Sequence, residues 1–576
     1  MSNRLTNLLA FTLLLIMFSA AFFSMTRDSL TFDELAHIPA GYSYLIKKDY
    51  RVNPEHPPLA KDLSAIPLSF LNLNFPSESS NWTQKESAPA WWVQFDLGNE
   101  FIYKSDNNPK SIIFWARLPM ILLLVSLGCL LFLWTKELAG KTMALMVLIL
   151  FAFSPTFLAH GRLVTTDVAA SFGVIISIYS WLKFLKNPNK KNIILTGILF
   201  GIAMCLKFSL VLLIPFFAII TIVYALVNNK KEKLPEYILK AIVIGLFGLF
   251  FIVSPIYSFH IQNYPLEQQI RDTLADLAPG KISLIKDTIV GMAKIPLLRP
   301  LAQYFRGIAM TLQRASFGNT VYFLGKISAD GWWYYFPIIY LLKVPLAFHI
   351  ITLLGIIGLL SVKRKDWIKK NFTIFSLILF ISIYWLSAIV GNLNIGIRHI
   401  LPTIPLIYIV VAMGIKKLLD SSTKNKKNIK SILAILLIWY IGSSVSAFPN
   451  YIPYFNELAG GTDNGYKFAV DSNYDWGQDF HKLLEFIEKE KIETIYLDYF
   501  GGENPEYYLG DRYIKFNPKE ITELPKGWIA ISLNQLQGGI AEPITKFDQQ
   551  TGFYDWTKNY EPVTRIGKSI LIYHID

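Results

Sequence analysis

Unbroken apolar runs recur along this chain, and they constrain its fold class more than any motif does. They lie near 8–25, 112–134, 142–160, 165–185, 192–207, 209–227, 237–257, 335–360, 372–390, 400–416 and 430–447. A bilayer core takes about 20 apolar residues of helix, so the pattern predicts a polytopic α-helical membrane protein of about eleven transmembrane helices. A soluble chain of 576 residues, 53% of them hydrophobic, would set its apolar residues in amphipathic stripes instead. The first run can be read as a cleaved signal peptide, with Ser19-Ala20-Ala21 as its processing site. Its length, and the spans that follow, favour a retained helix. The boundary near Lys207 can equally be a break within one long helix.

The formal net charge of +13 is set by short connectors. Alternating sides from Arg4, the clusters Lys136/Lys141, Lys183/Lys186/Lys190/Lys191 and Lys230/Lys231/Lys233 all fall on one face. So do Lys363/Arg364/Lys365/Lys369/Lys370 and Lys416/Lys417/Lys424/Lys426/Lys427/Lys430. Cationic loops held on the cytoplasmic side explain this distribution. The absence of a basic face or an aromatic–basic platform argues against nucleic acid. Cys129 and Cys205 both sit inside apolar runs and offer no disulfide or zinc framework.

The topology predicts a transmembrane domain over 1–447, with outer loops at 26–111 and 258–334, and an outer domain over 448–576. In the first loop, Leu35, Ile38, Tyr42, Leu45 and Ile46 recur at helical spacing, which predicts an amphipathic helix lying at the interface. Pro57-Pro58 suits the first turn of a second helix carrying Leu59, Leu63 and Ile66. In the last segment, 480–490 reads as helix and 494–499 and 528–533 as strands, giving a small α/β module.

The candidate chemistry gathers at the predicted outer ends of the spans. Asp33-Glu34 can act as a base and its neighbour on an acceptor hydroxyl, since partial desolvation raises a carboxylate's basicity. The plainer reading is an acidic pair favoured by a helix N-terminus, with Thr31 as cap. Glu55-His56, just before Pro57-Pro58, can hold an anion such as a lipid phosphate at free backbone N–H groups. Alternatively, Glu55 takes part in a divalent metal site with a distant histidine such as His399, or the segment is only a rigid turn. Arg162 and Asp167, with His160, Thr165 and Thr166 in the same turn, suit a phosphate fork and its orienting acid, or an Arg–Asp pair closing the turn. Arg398-His399 stands at another helix entrance, where arginine meets a lipid phosphate or snorkels. Lys207 and Lys343 lie deeper and face either a donor cavity or the interface. The segment Asp471 to Asp479 is no calcium loop, because Gly477 is one place late and Lys482 replaces the bidentate acid. Trp476, Asp475 and Gln478 offer carbohydrate contacts, or the segment caps a helix.

The order of these motifs resembles a known family. It consists of an acidic pair after the first span, Glu55-His56-Pro57-Pro58-Leu59, Arg162…Thr165-Thr166-Asp167 and Arg398-His399-Ile400-Leu401-Pro402. It is similar to the polyprenyl-phosphate-sugar-dependent glycosyltransferases of the GT-C fold, most of all the bacterial relatives of protein O-mannosyltransferases, and also the lipid A aminoarabinose transferases. Phe323-Leu324-Gly325, Gly331-Trp332-Trp333-Tyr334-Tyr335-Phe336, Leu342-Lys343-Val344-Pro345, Tyr454-Phe455-Asn456-Glu457 and Asp471 to Asp479 add to the likeness. The resemblance implies Asp33 as catalytic carboxylate with Glu34 in support, Arg162 and Asp167 at the donor, and Arg398 beside the donor phosphate. Glu55 matches an acid that helps hold a metal in the aminoarabinose branch, where a lysine is common at the position of His56. The resemblance further implies a bacterial inner (cytoplasmic) membrane location with an extracytoplasmic site, a polyprenyl-phosphate sugar donor, and a protein, glycolipid or envelope-glycan acceptor. The reaction it implies is a single inverting displacement, which calls for no cofactor unless Glu55 helps to hold a divalent metal.

Two other classes compete. A transporter would set its polar groups near the bilayer midplane in repeated halves, whereas here they lie at outer ends and the halves do not match. A protein that merely displays its last domain has no need of eleven spans. Asp330-Gly331-Trp332-Trp333-Tyr334 resembles the oligosaccharyltransferase signature only loosely, because no aspartate follows the tryptophans.

Overall fold

The computed structural model describes residues 1–83, 91–278, 283–361, 366–422, 425–520, 523–544 and 547–576. Among them, eight helices are long and apolar enough to cross a bilayer. These are Asn3–Met25, Pro109–Ala139, Asp167–Lys186, Phe208–Val227, Lys231–His260, Phe372–Val390, Ile397–Ser421 and Lys426–Ala447. A ninth span arises if Tyr335–Lys343 and Leu346–Leu360, bent by 108°, form one. The bend has a local cause: Pro345 bars helical geometry at Val344, which is extended.

The protein is therefore a multi-pass membrane protein with fewer full-length spans than the apolar runs suggest. The run at 142–160 breaks into Lys141–Ala152 and Pro155–His160, where Ser154 and Pro155 open a new helix. The run at 192–207 gives only Lys190–Met204, and Lys207 itself is extended, so two helices flank it instead of one. Lys363, Arg364, Lys365 and Lys424 lie outside the described residues.

Small residues let two of the helices touch. A Cβ at Gly358 would lie 2.0 Å from the Gly414 carbonyl oxygen, and one at Gly414 would lie 2.2 Å from that of Gly355. Helices within a membrane associate through such backbone approach because lipid offers no hydrophobic drive between them. Gly414→Val should therefore destabilise the protein by at least about 1–3 kcal/mol, the usual cost of overpacking. Thermal unfolding in detergent measures it, and an unchanged midpoint would place the helices apart.

Between the first two spans, helices Leu59–Leu68 and Val93–Tyr103 each pack on Glu34–Tyr42. All nine residues of Glu34–Tyr42 are buried, so this is not the interfacial helix that its periodicity predicts. The other two helices cover the face that would otherwise meet solvent, and a Cβ on Gly98 would lie 1.9 Å from the Leu35 carbonyl oxygen.

The last segment contains the expected helix, Phe480–Lys489, against a five-stranded sheet. Across the sheet run Tyr513–Lys515, Ile495–Asp498, Gly527–Ser532, Ile570–Ile575 and Thr564–Ile566. The first three are parallel to one another and the last two pair antiparallel. Phe480, Leu483 and Ile487 bury one helix face against Ile495, Leu497, Ala530 and Ile572. This domain is knitted to the rest. A hairpin of Val321–Phe323 and Lys326–Ser328 pairs with Glu542–Pro543. The hairpin turns at Leu324-Gly325, both with positive φ, as a two-residue turn of that kind requires.

The segment just before Asp33 is strapped to the same domain. The amides of Ser29 and Phe32 donate to the carbonyls of Gln478 and Trp476, at 3.0 and 3.1 Å. The Gly502 amide donates to the Leu30 carbonyl at 3.0 Å, and the Glu503 carboxylate accepts from the Leu30 amide at 2.6 Å.

Candidate active site

A cavity of 210 Å³ lies where the loop after the first span meets the ends of several spans. Asp33 reaches it from the start of Glu34–Tyr42, without capping that helix through its side chain. Its Oδ2 accepts from Arg398 Nη1 at 2.5 Å. The same nitrogen lies 3.9 Å from Asp167 Oδ2, while Asp167 Oδ1 accepts from Lys207 Nζ at 2.5 Å. Charges thus alternate in a row: Asp33, Arg398, Asp167, Lys207. Asp167 Oδ2 and Arg398 Nε are buried without a hydrogen-bond partner, so the row retains unused acceptor and donor capacity. The guanidinium of Arg398 is held over the Trp476 ring, 4.4 Å from its centre.

A second ion pair closes another side of the cavity. Arg314 Nη1 donates to Glu55 Oε1 at 2.6 Å and its guanidinium lies over Trp91. His56 and His399 also line the cavity. The His37 and His56 rings meet edge to face, 5.2 Å apart. Burial pushes both imidazoles down, His56 furthest, with His37 and Lys61 adding to it. Burial alone would raise the Asp33 carboxyl, but Arg398, by its charge and its hydrogen bond, outweighs it and holds Asp33 below the usual carboxylate range. At rest, then, Asp33 is an ionised, weakly basic partner of Arg398.

Seven expected residues come together here: Asp33, Glu55, His56, Asp167, Lys207, Arg398 and His399. Three do not. Glu34 points away and is fully buried, accepting from Arg117 Nε and Nη2, the Thr31 amide and hydroxyl, and the Val164 amide. Arg162 does not meet the cavity and does not pair with Asp167. Its guanidinium is fully buried on Asp28 and on the Leu158 carbonyl. Lys343 donates to the carbonyls of Ile452 and Asn473, at 2.7 and 2.6 Å, and so stitches the bend of its helix pair to the last domain.

The turn before Leu59–Leu68, a candidate anion site, is filled by a buried lysine amine. Lys61 Nζ donates to the carbonyls of Asn53 and His56 and to Asn53 Oδ1. Trp476 is buried with Arg398 over its ring, so the stacking face expected for sugar is already occupied. Asp475 accepts from the Asn534 and Gly477 amides, and burial raises its carboxyl to about 7. It fixes a loop.

Sequence reasoning misses Arg314, Trp91, His37, Gln94 and Tyr384, which also line the cavity, and the buried Arg117. Arg117 carried a signal, being the lone cation within the run 112–134. Arg314 carried little, because its helix, Arg299–Phe317, is polar enough to read as a solvated surface.

No metal set matches the expected Glu55 and His399. Among the described residues, no three His, Cys, Asp or Glu side chains gather as ligands, and Glu55 Oε1 is already engaged by Arg314.

A comparison with curated proteins gave no match. Among solved structures, the chain is similar to the Archaeoglobus fulgidus oligosaccharyltransferase crystallised with zinc and sulfate (14% identity, 88% of this chain and 59% of that one, TM-score 0.40). It thus spans about three fifths of the length of that protein. It is also similar to the oligosaccharyltransferase AglB of Archaeoglobus fulgidus in complex with an inhibitory peptide and a dolichol-phosphate (11% identity, 92% and 71%, TM-score 0.43). ArnT from Cupriavidus metallidurans bound to undecaprenyl phosphate matches at 10% identity over 99% and 98%, with a TM-score of 0.29. Residues 110–259, the stretch that supplies Asp167 and Lys207 to the cavity, match the family of dolichyl-phosphate-mannose-protein mannosyltransferases. In this multi-pass membrane protein, then, the likeness to that family is confined to residues 110–259.

Proposed function

We propose that the protein is an inverting glycosyltransferase that moves a sugar from a polyprenyl phosphate to an acceptor hydroxyl outside the cytoplasm. The acceptor class is a protein serine or threonine, a glycolipid or an envelope glycan, and the membrane is the bacterial inner membrane. The observation that carries this reading is the row Asp33–Arg398–Asp167–Lys207 along one cavity beside the spans. It combines a base with two cations suited to a phosphate, next to where a lipid tail would lie. The family match over residues 110–259 supports the same donor class.

A donor phosphate entering the cavity competes with Asp33 for Arg398, whose guanidinium suits either anion. As the arginine turns to the phosphate, Asp33 loses the charge that holds its pKa down and becomes a stronger base. It takes the acceptor proton while the hydroxyl oxygen attacks the anomeric carbon from the face opposite the phosphate. The bond to phosphate breaks, its electron pair leaves with the lipid phosphate, and Arg398 and Lys207 stabilise that gain of charge. Asp33 then returns the proton to water.

The test is transfer in proteoliposomes from polyprenyl-phosphate sugars, with nucleotide sugars as the comparison. Transfer with inversion from the lipid donors alone is expected, and substrate flux without transfer would sink the proposal in favour of transport. Arg398→Ala should raise the donor KM by at least about tenfold in the folded protein, and thermal unfolding run in parallel gives the separate cost of breaking its buried pair. Unchanged donor dependence would remove Arg398 from the phosphate.

A further inference from the structure

A second and larger cavity, of 580 Å³, opens between the Val321–Ser328 hairpin and the last domain. It shares no lining residue with the Asp33 cavity, and its chemistry is different. Amide side chains dominate the polar lining, among them Asn517, Asn534, Gln535, Gln549 and Gln550. An amide both donates and accepts from one planar group, which matches neighbouring hydroxyls that also do both. The rings of Phe500, stacked on Phe32, and of Phe553, with Lys519 over it, add apolar surface to the lining, suited to the C–H groups of a sugar. Two acids, Asp471 and Asp498, stand with two lysines, Lys515 and Lys519, so the lining selects for neither an anion nor a cation.

The polar groups are held in place. Asp498 accepts from Gln535 Nε2 at 2.9 Å and from the Tyr554 hydroxyl at 2.5 Å. The Asn534 amide donates to Asp475 Oδ2 at 2.9 Å while its Oδ1 accepts from the Asp471 amide at 3.1 Å. The size lies within the range of about 300–1,000 Å³ usual for small-ligand sites.

The inner end of the cleft abuts the transfer site. The Phe500 ring stacks on that of Phe32 with centres 4.9 Å apart, and Phe32 immediately precedes Asp33. Asp471 heads the segment whose Trp476 carries Arg398. We propose that this cleft is a carbohydrate subsite, which holds the neutral oligosaccharide part of the acceptor beside Asp33. Its role as an acceptor site rests on the transfer reading above, whereas sugar binding does not.

Gly538 provides the test. It lies in the helix Leu533–Ile540 at the cleft wall, and an added Cβ meets only Ile327 Cδ1, at 4.0 Å. Gly538→Trp therefore has room to fill the cleft. The full chain in nanodiscs is titrated with mannotriose, maltotriose, cellotriose and chitotriose by saturation-transfer NMR. At least one should bind the wild type and the Asp33→Asn variant alike. Its affinity should fall about tenfold or more in Gly538→Trp and in the exposed pair Gln549→Ala/Gln550→Ala, with unfolding temperatures unchanged. If none of the four binds, or binding survives Gly538→Trp, the subsite is overturned. It is equally overturned if the sugars are silent while a serine- and threonine-rich peptide binds and is displaced by Gly538→Trp. Trisaccharide binding in a protein that transfers nothing from lipid donors would strike the transfer reading and uphold the cleft.

Discussion

Asp33→Asn should lower sugar transfer by about 10²–10⁴-fold, the usual contribution of a positioned base, while leaving donor binding nearly intact. Asparagine keeps the size and an oxygen for Arg398, which donates to Oδ2 at 2.5 Å in the native protein, but it cannot take a proton. The loss should therefore appear in kcat, with the donor KM little changed, because the missing interaction is made only in the transition state. Asp33→Glu should recover part of the rate, since it restores a base displaced by one methylene. Single-turnover transfer from a polyprenyl-phosphate sugar measures both. Transfer at the wild-type rate in Asp33→Asn would remove this carboxylate from the chemistry and leave it as the resting partner of Arg398.

Arg117→Met should destabilise the fold by about 3–5 kcal/mol, the cost of leaving a buried charge without its partner. Arg117 is 1% exposed and Glu34 is fully buried. The guanidinium donates twice to the Glu34 carboxylate and also to the carbonyls of Met25, Asp28 and Ser29. Those carbonyls follow the first span, so one side chain ties the exit of Asn3–Met25 to the middle of the outer loop. Burial alone would raise the Glu34 carboxyl, yet Arg117 and the Val164 and Thr31 amides keep it below the ordinary range. Removing Arg117 strands an ionised acid. Adding Glu34→Gln should recover part of the loss, because contacting partners are not additive. Thermal unfolding of the purified single and double variants decides it, and equal destabilisation of both would mean that the pair is not coupled.

The sequence exposed those site residues that interrupt apolar runs at their ends, because a charge there is costly without a role. Asp167, Lys207 and Arg398 were legible in this way, and Asp33 through its place just after a span. Pairing was not legible. Arg162 finds Asp28 across 134 positions, and no local rule prefers that acid to Asp167, five residues away in its own turn. The chemistry of Trp476 suits either a sugar contact or a helix start, and tertiary packing gives its face to Arg398 instead. Glu34–Tyr42 has a periodicity that marks one apolar face, while its burial on every side depends on helices that come later in the chain. The span count fell for a related reason. Hydropathy measures apolar length, whereas Ser154-Pro155 and the extended Lys207 end helices inside apolar sequence.

The strap between residues 29–32 and residues 476–502 has a consequence for biosynthesis. An emerging chain releases residues 29–32 early, yet the hydrogen bonds that fix them come only from residues 476–503. Until residues 476–503 are made, the segment that leads into Asp33 would thus lack this anchor.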